Sequence, residues 1–266
     1  MIKICLAGAT GWAGSALAKS IFCSDHMKIV SAVARTSAGN DLGEVLGVGT
    51  KGVTISSSAN DALQTPCDVF FEYTKPAVAK ANIIKALELG AHVVVGTSGL
   101  TDQDYSEIHD IAVSSKKGVL AVGNFALTVV LLQKFSEMAA KYIPHWEIID
   151  YAHADKIDAP SGTTRELAFR LGKVRESKIA VSLENLKGEK ESRGVRLNGS
   201  QIHSVRLPGF VIGAETIFGM PDQKLVMRHE AGSSAVPYVD GALLAIEKVS
   251  GFIGLKRGLD TVMDFD

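Results

Sequence analysis

Residues 2–22, IKICLAGATGWAGSALAKSIF, determine the fold of the first half of the chain. The apolar run over 2–8 predicts a buried strand, and 15–22 has apolar residues at helical spacing. Glycines at 8, 11 and 14 form the turn between them. In dinucleotide-binding folds such a turn lets the backbone approach a pyrophosphate at the helix N-terminus. The spacing is GxxGxxG rather than GxGxxG, because Ala9 stands where a glycine is usual, so a purely structural turn stays the alternative.

The same alternation continues through the first half of the chain. Continuous apolar strands that alternate with helices are typical of a parallel sheet covered on both faces. We therefore predict a Rossmann-type, doubly wound α/β sheet. Its further predicted strands cover 27–34, 69–73, 92–97 and 118–124, and its further helices cover 78–89 and 102–115.

After residue 125 the pattern changes to one amphipathic helix followed by long β-rich segments. The helix is expected over 126–142, with an apolar stripe of Leu127, Leu131, Phe135, Met138 and Tyr142. The β-rich segments predict a second, mixed sheet; they are 146–153, 202–208, 210–220 and 224–231.

These patterns divide the chain into two domains. A dinucleotide-binding domain is expected over 1–124, completed by 234–266, where a closing helix at 238–251 packs back on it. An α+β domain for substrate binding and oligomerisation is expected over 125–233. Within it the charged stretch 183–200 predicts a mobile loop.

Composition excludes several classes of protein. Lys and Arg number 28 against 29 Asp and Glu, a net charge of −1, which argues against a nucleic-acid partner. No apolar run approaches the ~18 residues of a membrane span, and no signal peptide precedes the first strand. Three cysteines without a CxxC pair and seven scattered histidines indicate a reducing compartment and no metal site. We expect a cytoplasmic protein that forms homo-oligomers, because the apolar strands at 202–231 need burial on both faces.

The end of the second strand indicates which dinucleotide is bound. NAD-preferring sites usually have an acidic residue there, whereas this strand is followed by Arg35. Arg35 can pair with a 2′-phosphate, so NADPH is favoured over NADH; a solvated surface cation is the alternative. The nicotinamide is expected near the strand end at Gly96, Thr97 and Ser98, with 72–76 as a wall of the cleft.

The densest polar cluster lies in the second half, at 147–163, EIIDYAHADKIDAPSGT. Ser161, Gly162 and Thr163 precede a helical stretch, and hydroxyls with free N–H groups at a helix start form an anion site. Lys156 and His153 lie on the approach to it, which favours a dicarboxylic substrate. An ordinary capped helix with a solvated Lys156 is the alternative.

Several motifs occur in an order that resembles the dihydrodipicolinate reductase family. They are the loop GATGWAG, the strand end GTSG, Asn124-Phe125, the element KIDAPSGT and the strand IHSVR. The resemblance covers essentially the whole chain and implies a homotetramer that transfers hydride from NAD(P)H to a cyclic unsaturated dicarboxylate. It assigns the substrate to His153, Lys156, Ser161, Gly162, Thr163 and Ser98, with Lys156 and His153 as the catalytic residues. The cofactor residues are then Gly8, Ala9, Thr10, Gly11, Trp12, Ala13, Gly14, Arg35, Tyr73, Thr74, Gly96, Thr97, Ser98, Asn124 and Phe125.

The chain departs from the pattern that this resemblance implies. The family typically has two adjacent histidines, the first a proposed general acid, and here the first position is Ala152. Trp12 and Ala13 replace a common Arg-Met pair. Loss of a general acid typically costs about 10²–10⁴ in rate. Lys156, His153 or water then supplies the proton, or the substrate is another cyclic imine or amino-acid derivative, or the chain is a non-catalytic dinucleotide sensor. The pattern leaves the role of Arg206 open.

Overall fold

The computed structural model describes residues 1–265, and its chain divides into two compact units. One unit comprises Met1–Leu127 together with the segment that begins at Ala235; the other comprises Thr128–Ser234. None of the helices among the described residues is long and apolar enough to cross a lipid bilayer.

The first unit is built on a parallel sheet of seven strands, which confirms the predicted Rossmann-type architecture. Its strand order is β12-β6-β5-β4-β1-β2-β3. The strands are β1 (Ile2–Ala7), β2 (Met27–Val33), β3 (Ile55–Ser56), β4 (Val69–Glu72), β5 (His92–Val95), β6 (Gly118–Ala121) and β12 (Gly254–Arg257). The helices are α1 (Trp12–Ile21), α2 (Leu42–Val45), α3 (Ala59–Ala62), α4 (Pro76–Glu88), α5 (Asp102–Ser114) and α8 (Val239–Lys248).

The central strands of this sheet are buried on both faces. All four residues of β4 and the last four of β1 are buried, which requires the continuous apolar runs seen in the sequence. Phe70 and Phe71 are among the largest fully buried side chains. The carboxyl ends of β1, β4 and β5 are neighbours in the sheet, so the segments after Ala7, Glu72 and Val95 emerge at one edge.

The second unit has a mixed sheet of five strands, as predicted. Its order is β11-β10-β7-β9-β8, and only β7 and β9 pair in parallel. The strands are β7 (His145–Ala152), β8 (Val195–Leu197), β9 (Ser200–Arg206), β10 (Ile212–Met220) and β11 (Gln223–Ala231). The helices are α6 (Leu127–Tyr142) and α7 (Gly162–Val174), and Trp146, Ile148, Leu167, Leu171 and Phe218 belong to the core of this unit.

The helix α6 forms where expected, but its predicted buried stripe is wrong. Phe135, Met138 and Tyr142 are exposed, and the fully buried positions are instead Val129, Val130, Leu132, Gln133, Ser136 and Ala140. The five positions are spaced by four, four, three and four residues, so on a helix of 3.6 residues per turn they keep to one face within about 80°. The buried positions lie on the other side of the helix, so the apolar stripe exists but is not the buried face.

The stretch 183–200 is also more ordered than predicted. It contains 3-10 turns at Leu183–Asn185 and Lys190–Arg193, and β8 pairs with β9 in an antiparallel hairpin. The hairpin turn is Asn198-Gly199, and both residues have positive φ, 46° and 75°. This is the dipeptide that two-residue hairpin turns prefer, so the signal was present in the sequence. The other 3-10 turns are Val236–Tyr238, Val249–Gly251 and Leu259–Val262.

Candidate active site

The glycine loop between β1 and α1 is folded tightly against the edge of the sheet. A Cβ at Gly14 would lie 2.1 Å from the carbonyl oxygen of Gly8, and a Cβ at Gly8 would lie 2.3 Å from that of Tyr73. Gly8 also has φ +81°. The loop therefore requires glycine at both positions, because any side chain would displace backbone.

The helix α1 begins at Trp12, three residues earlier than expected, so Trp12, Ala13 and Gly14 form its first turn. No side chain among the described residues caps this helix. The N–H groups of its first turn have no partner within the helix, and they carry the positive end of its dipole. A pyrophosphate bound by the loop would meet these groups directly.

Two exposed side chains flank this loop. Trp12 is 60% exposed and its ring meets that of Tyr238 edge-on at 5.5 Å. Arg35, two residues beyond β2, is exposed and has no ion-pair partner within residues 1–265. Its guanidinium is therefore available to an anionic group of a ligand.

The segments after β4 and β5 meet through the ring of Tyr73. This ring packs against Phe71 at 4.6 Å and Phe125 at 5.7 Å between centroids. A Cβ at Gly96 would lie 2.0 Å from Cε1 of Tyr73, so only glycine fits there. Burial raises the pKa of Tyr73 well above its ordinary value, which keeps the phenol neutral. The contacts bring together the sequence-predicted Tyr73, Gly96 and Phe125.

A buried carboxylate at the end of β4, Glu72, organises the same edge. Its Oε1 accepts hydrogen bonds from the backbone N–H of Thr74 at 2.6 Å, from the Thr74 hydroxyl, and from the Thr97 hydroxyl at 3.3 Å. Its Oε2 accepts from Nδ2 of Asn82 at 2.8 Å. Glu72 is fully buried, and it has no ion-pair partner in the described part of the chain. Its donors therefore take the place of water around the carboxyl group.

The neighbouring predicted residues take up distinct places. Ser98 and Gly99 are exposed at the strand end. Thr97 is buried, and its hydroxyl donates to the carbonyl oxygen of Glu72. Asn124 turns back on its own loop, where its Oδ1 accepts from the N–H of Ala126 at 2.9 Å.

In the second unit, Ser161 is the N-cap of α7. Its hydroxyl accepts from the N–H of Thr164 and donates to the Thr164 hydroxyl at 3.2 Å, and Ser161 is buried. Gly162 is exposed, and the Thr163 hydroxyl has no partner within residues 1–265. The groups that α7 offers to an anion are therefore the N–H of Gly162 and of Thr163 and the Thr163 hydroxyl, while Ser161 shapes the turn.

Lys156 lies in the loop that leads to this helix. Its Nζ is 2.7 Å from Oδ1 of Asp158, and this hydrogen bond lowers the pKa of the Asp158 carboxyl. A turn bond from the N–H of Lys156 to the carbonyl of His153, at 3.1 Å, joins the two candidate residues. The His153 ring is half-exposed, with Nδ1 3.4 Å from Asp155. The loop thus carries a lysine and a histidine ahead of the N–H groups of Gly162 and Thr163 at the start of α7.

Both halves of the chain match models of one family. Residues 2–125 match "Dihydrodipicolinate reductase, N-terminus" and residues 128–262 match "Dihydrodipicolinate reductase, C-terminus". The chain belongs to the dihydrodipicolinate reductase family. It is 36% identical over 265 residues to the 4-hydroxy-tetrahydrodipicolinate reductase of Desulfitobacterium hafniense, with 99% of each chain covered. The corresponding reductase of Carboxydothermus hydrogenoformans is also 36% identical, over 264 residues, with 99% of this chain and 100% of that one covered.

Solved structures agree with this assignment. The dipicolinate-bound dihydrodipicolinate reductase of Paenisporosarcina sp. TG-14 superposes with a TM-score of 0.90 at 28% identity, covering 99% of this chain and all of that one. An amine dehydrogenase of Mycobacterium smegmatis has a TM-score of 0.68 at 16% identity over all of this chain and 97% of its own, which shows a shared fold only.

One position at which the chain departs from the pattern that the resemblance implies, Ala152, is fully buried. Ala152 is the last residue of β7, has no exposed surface and pairs in register with Arg206 on β9. The methyl group is thus part of the packed end of the sheet. Within residues 1–265, no group of three or more His, Cys, Asp and Glu side chains is placed to hold a metal ion.

Sequence reasoning missed the contacts of three residues: Glu72 in the first unit as a polar centre, and in the second unit Asp150 as a polar centre with Arg206 as its partner. The sequence signal for Glu72 was an acidic residue at the end of the otherwise apolar strand VFFE, and that for Asp150 was an acidic residue at an inward position in WEIID. Asp150 and its partner Arg206 lie 56 residues apart in the chain, and pattern analysis does not relate residues at that separation.

Proposed function

We propose that the protein reduces 4-hydroxy-tetrahydrodipicolinate to tetrahydrodipicolinate with NADPH, in the biosynthesis of diaminopimelate and lysine. In this reaction the ring loses its hydroxyl group and one ring hydrogen as water, a hydride from the nicotinamide and a proton enter the ring, and the nicotinamide is oxidised. The observation that carries the proposal is the loop of the second unit, in which Lys156 and the start of α7 offer positive charge and free N–H groups to a carboxylate. The D. hafniense relative bears the name of this reductase.

The first unit supplies the cofactor site in this proposal. The glycine loop and the first turn of α1 hold the pyrophosphate, and Tyr73, Gly96 and Phe125 border the nicotinamide. The exposed Arg35 pairs with the 2′-phosphate, which favours NADPH over NADH. Hydride transfer is the chemistry of the nicotinamide; the chain binds and orients it.

Lys156 and His153 are the proposed catalytic residues, with Lys156 as the proton donor. The methyl side chain of Ala152 cannot donate a proton. The ammonium of Lys156 can stabilise a substrate carboxylate and donate a proton as the ring is reduced. In the second unit Gly162 and Thr163 also hold substrate carboxylates, and Ser161 acts through the turn that it caps.

Steady-state assays of NADPH oxidation with the dicarboxylate test this assignment. Lys156→Arg keeps the positive charge but cannot release a proton near neutral pH, so kcat should fall about 10²–10⁴-fold with little change in KM. His153→Gln should raise KM and leave the pH dependence of kcat in place. A fall in kcat with His153→Gln and none with Lys156→Arg would assign the proton to the histidine instead.

We also propose that the chain forms a homotetramer through the second unit. The edge strand β11 exposes four successive residues, of which Leu225 and Val226 are apolar. Exposed apolar edge strands favour pairing with another chain. Light scattering of the purified protein should give the mass of four chains, and Val226→Lys should lower it.

A further inference from the structure

A buried ion pair lies beneath the loop 153–163, which we call the substrate loop. Asp150 on β7 is fully buried, and its Oδ2 accepts a hydrogen bond from a terminal nitrogen of Arg206 on β9 at 2.7 Å. The two strands run in parallel with Asp150 opposite Ser204 and Ala152 opposite Arg206, so the guanidinium reaches back along the sheet. A second terminal nitrogen of Arg206 donates to the backbone carbonyl of Asp150 at 3.2 Å.

This pair holds the substrate loop at two points. The carboxylate of Asp150 accepts from the N–H of Ser161 at 2.9 Å and from the hydroxyl of Thr164 at 3.0 Å, which fixes the start of α7. The nitrogen of Arg206 that binds Asp150 also donates to the carbonyl of Asp158 at 2.7 Å, which fixes the segment beside Lys156.

Core packing alone does not require charge at this place. The neighbouring inward positions of β7 are apolar, Trp146 and Ile148, and an apolar pair of similar size stabilises a core at least as well as a buried ion pair. What distinguishes the ion pair is that two of its hydrogen bonds, from the Ser161 N–H and to the Asp158 carbonyl, connect it to the loop backbone. Ala152 pairs in register with Arg206 and has only a methyl side chain, so the guanidinium stays at the base of the loop.

We infer that Asp150 and Arg206 are positioning residues that fix the substrate loop, so that Lys156 and the first N–H groups of α7 face the same carboxylate. They touch the loop and not the reacting atoms. The inference rests on the proposed function for the identity of the ligand, whereas the order of the loop can be measured without any ligand.

The test uses Arg206→Gln, with Arg170→Gln as the matched control. Arg170 has a similar side-chain exposure, 19% against 16%, and pairs with Glu137 and Glu166 away from the loop. In Arg206→Gln the affinity for dipicolinate, measured by calorimetry in the presence of NADPH, should fall about tenfold to a hundredfold, as expected when a binding group is misplaced by about 1 Å. The affinity for NADPH alone should not change, and Arg170→Gln should leave both affinities unchanged.

Amide hydrogen exchange without ligand separates this inference from the proposed function. Exchange over 153–163 should rise in Arg206→Gln while exchange in α6 and β10 stays as in the wild type. That pattern supports the positioning role even where wild-type protein fails to bind dipicolinate, a result that would overturn the proposed substrate only. Unchanged exchange over the loop, or an equal rise throughout the second unit, overturns the positioning role.

The double variant Asp150→Asn/Arg206→Gln guards against unfolding by an unpaired buried charge. The double variant removes both charges together, but the amide of glutamine, which is two bonds shorter than arginine, does not reach the carbonyl of Asp158 that the guanidinium binds. The melting temperature should therefore recover while dipicolinate affinity and loop exchange do not. Recovery of all three would show that the pair is structural and overturn the inference.

Discussion

Replacing Glu72 by glutamine should loosen the cofactor edge of the first unit, because the carboxylate is surrounded by donors alone. An amide at this place has one oxygen and one NH₂ group. With its oxygen toward Thr74 and Thr97, its NH₂ faces Nδ2 of Asn82, which now lies 2.8 Å from Oε2. Turning the amide over places the NH₂ against the Thr74 N–H instead. With the Asn82 amide in its present orientation, either orientation of the new amide leaves two donors in contact.

The cost follows from these contacts. A buried donor left without a partner costs about 1–3 kcal/mol, and hydrogen bonds to a neutral acceptor are about half as strong as those to a carboxylate. We expect Glu72→Gln to destabilise the first unit by about 3 kcal/mol, which corresponds to a fall in melting temperature of roughly 6–12 °C for a unit of this size. Because Thr74 and Thr97 lose their common anchor, NADPH should bind about tenfold more weakly, a change of about 1.4 kcal/mol.

A double-mutant cycle with Asn82→Asp provides the assay. Asn82→Asp alone places two carboxyl groups in contact and should also destabilise, whereas in the combined variant the new amide donates to the new carboxylate. Thermal unfolding and NADPH titration by tryptophan fluorescence should therefore show recovery of most of the loss. Additive losses in the combined variant, or a Glu72→Gln protein as stable as wild type, would refute the account of Glu72 as the acceptor of all four hydrogen bonds.

Three further predictions concern the cofactor site and the response to acid. Arg35→Gln should weaken NADPH binding about tenfold and leave NADH binding unchanged. An exposed hydrogen bond between charged groups lies at the low end of the range for such bonds, about 1.5 kcal/mol. Equal effects on both cofactors would show that Arg35 does not bind the 2′-phosphate. Gly14→Ala should abolish NADPH binding in fluorescence titrations, because its Cβ would lie 2.1 Å from the Gly8 oxygen, whereas Gly251→Ala, with open space, should bind normally. Acid should destabilise the second unit in two steps. Burial lowers the pKa of His229 from 6.5, so its contribution to stability is present above that value and lost as the pH falls through the folded-state pKa. Burial alone would raise the pKa of Asp150, but hydrogen bonds from Ser161, Arg206 and Thr164 outweigh it and hold the pKa below 3.8, so its contribution persists above about pH 4 and is lost below. Urea unfolding followed through Trp146 in a Trp12→Phe background should show both steps, with His229→Gln removing the upper one; a single step that this variant leaves in place would contradict the assignment.

The parallel sheet could be predicted because its strands are buried on both faces. Apolar runs such as VFFE and HVVV are compatible with few structures other than a buried strand. The glycine turn marks where the first helix begins. The mixed sheet was also indicated by its alternating and β-branched segments. Whether a segment forms a strand or a helix could thus be predicted wherever burial requires apolar residues.

The faces and partners of individual residues were harder to predict. In α6 the buried side is set by small and polar residues, such as Ser136, whose hydroxyl bonds that of Thr216 at 3.0 Å. An apolar stripe does not show this, because the large side chains Phe135 and Met138 lie outside. Tertiary contacts decide the face, and single-sequence periodicity carries no information about them.

The candidate site divides in the same way. Lys156 and the start of α7 were readable because they are adjacent in sequence, as were the three glycines of the loop. Asp150 and Arg206 were not, because strand register brings together residues that lie 56 positions apart. Whether Ser161 caps the helix and the Thr163 hydroxyl is free also depends on side-chain contacts that the sequence does not show.

Transfer of deuterium from the nicotinamide to the dicarboxylate tests the central claim most directly. NADPH deuterated at the reactive carbon of the nicotinamide is incubated with enzymatically generated 4-hydroxy-tetrahydrodipicolinate and the wild-type protein, and the product is analysed by mass spectrometry. We predict a tetrahydrodipicolinate that carries the deuterium, formed in step with NADPH oxidation and much more slowly by Lys156→Arg. An unlabelled product, or tight binding of NADPH with no oxidation above the background rate, would contradict the account.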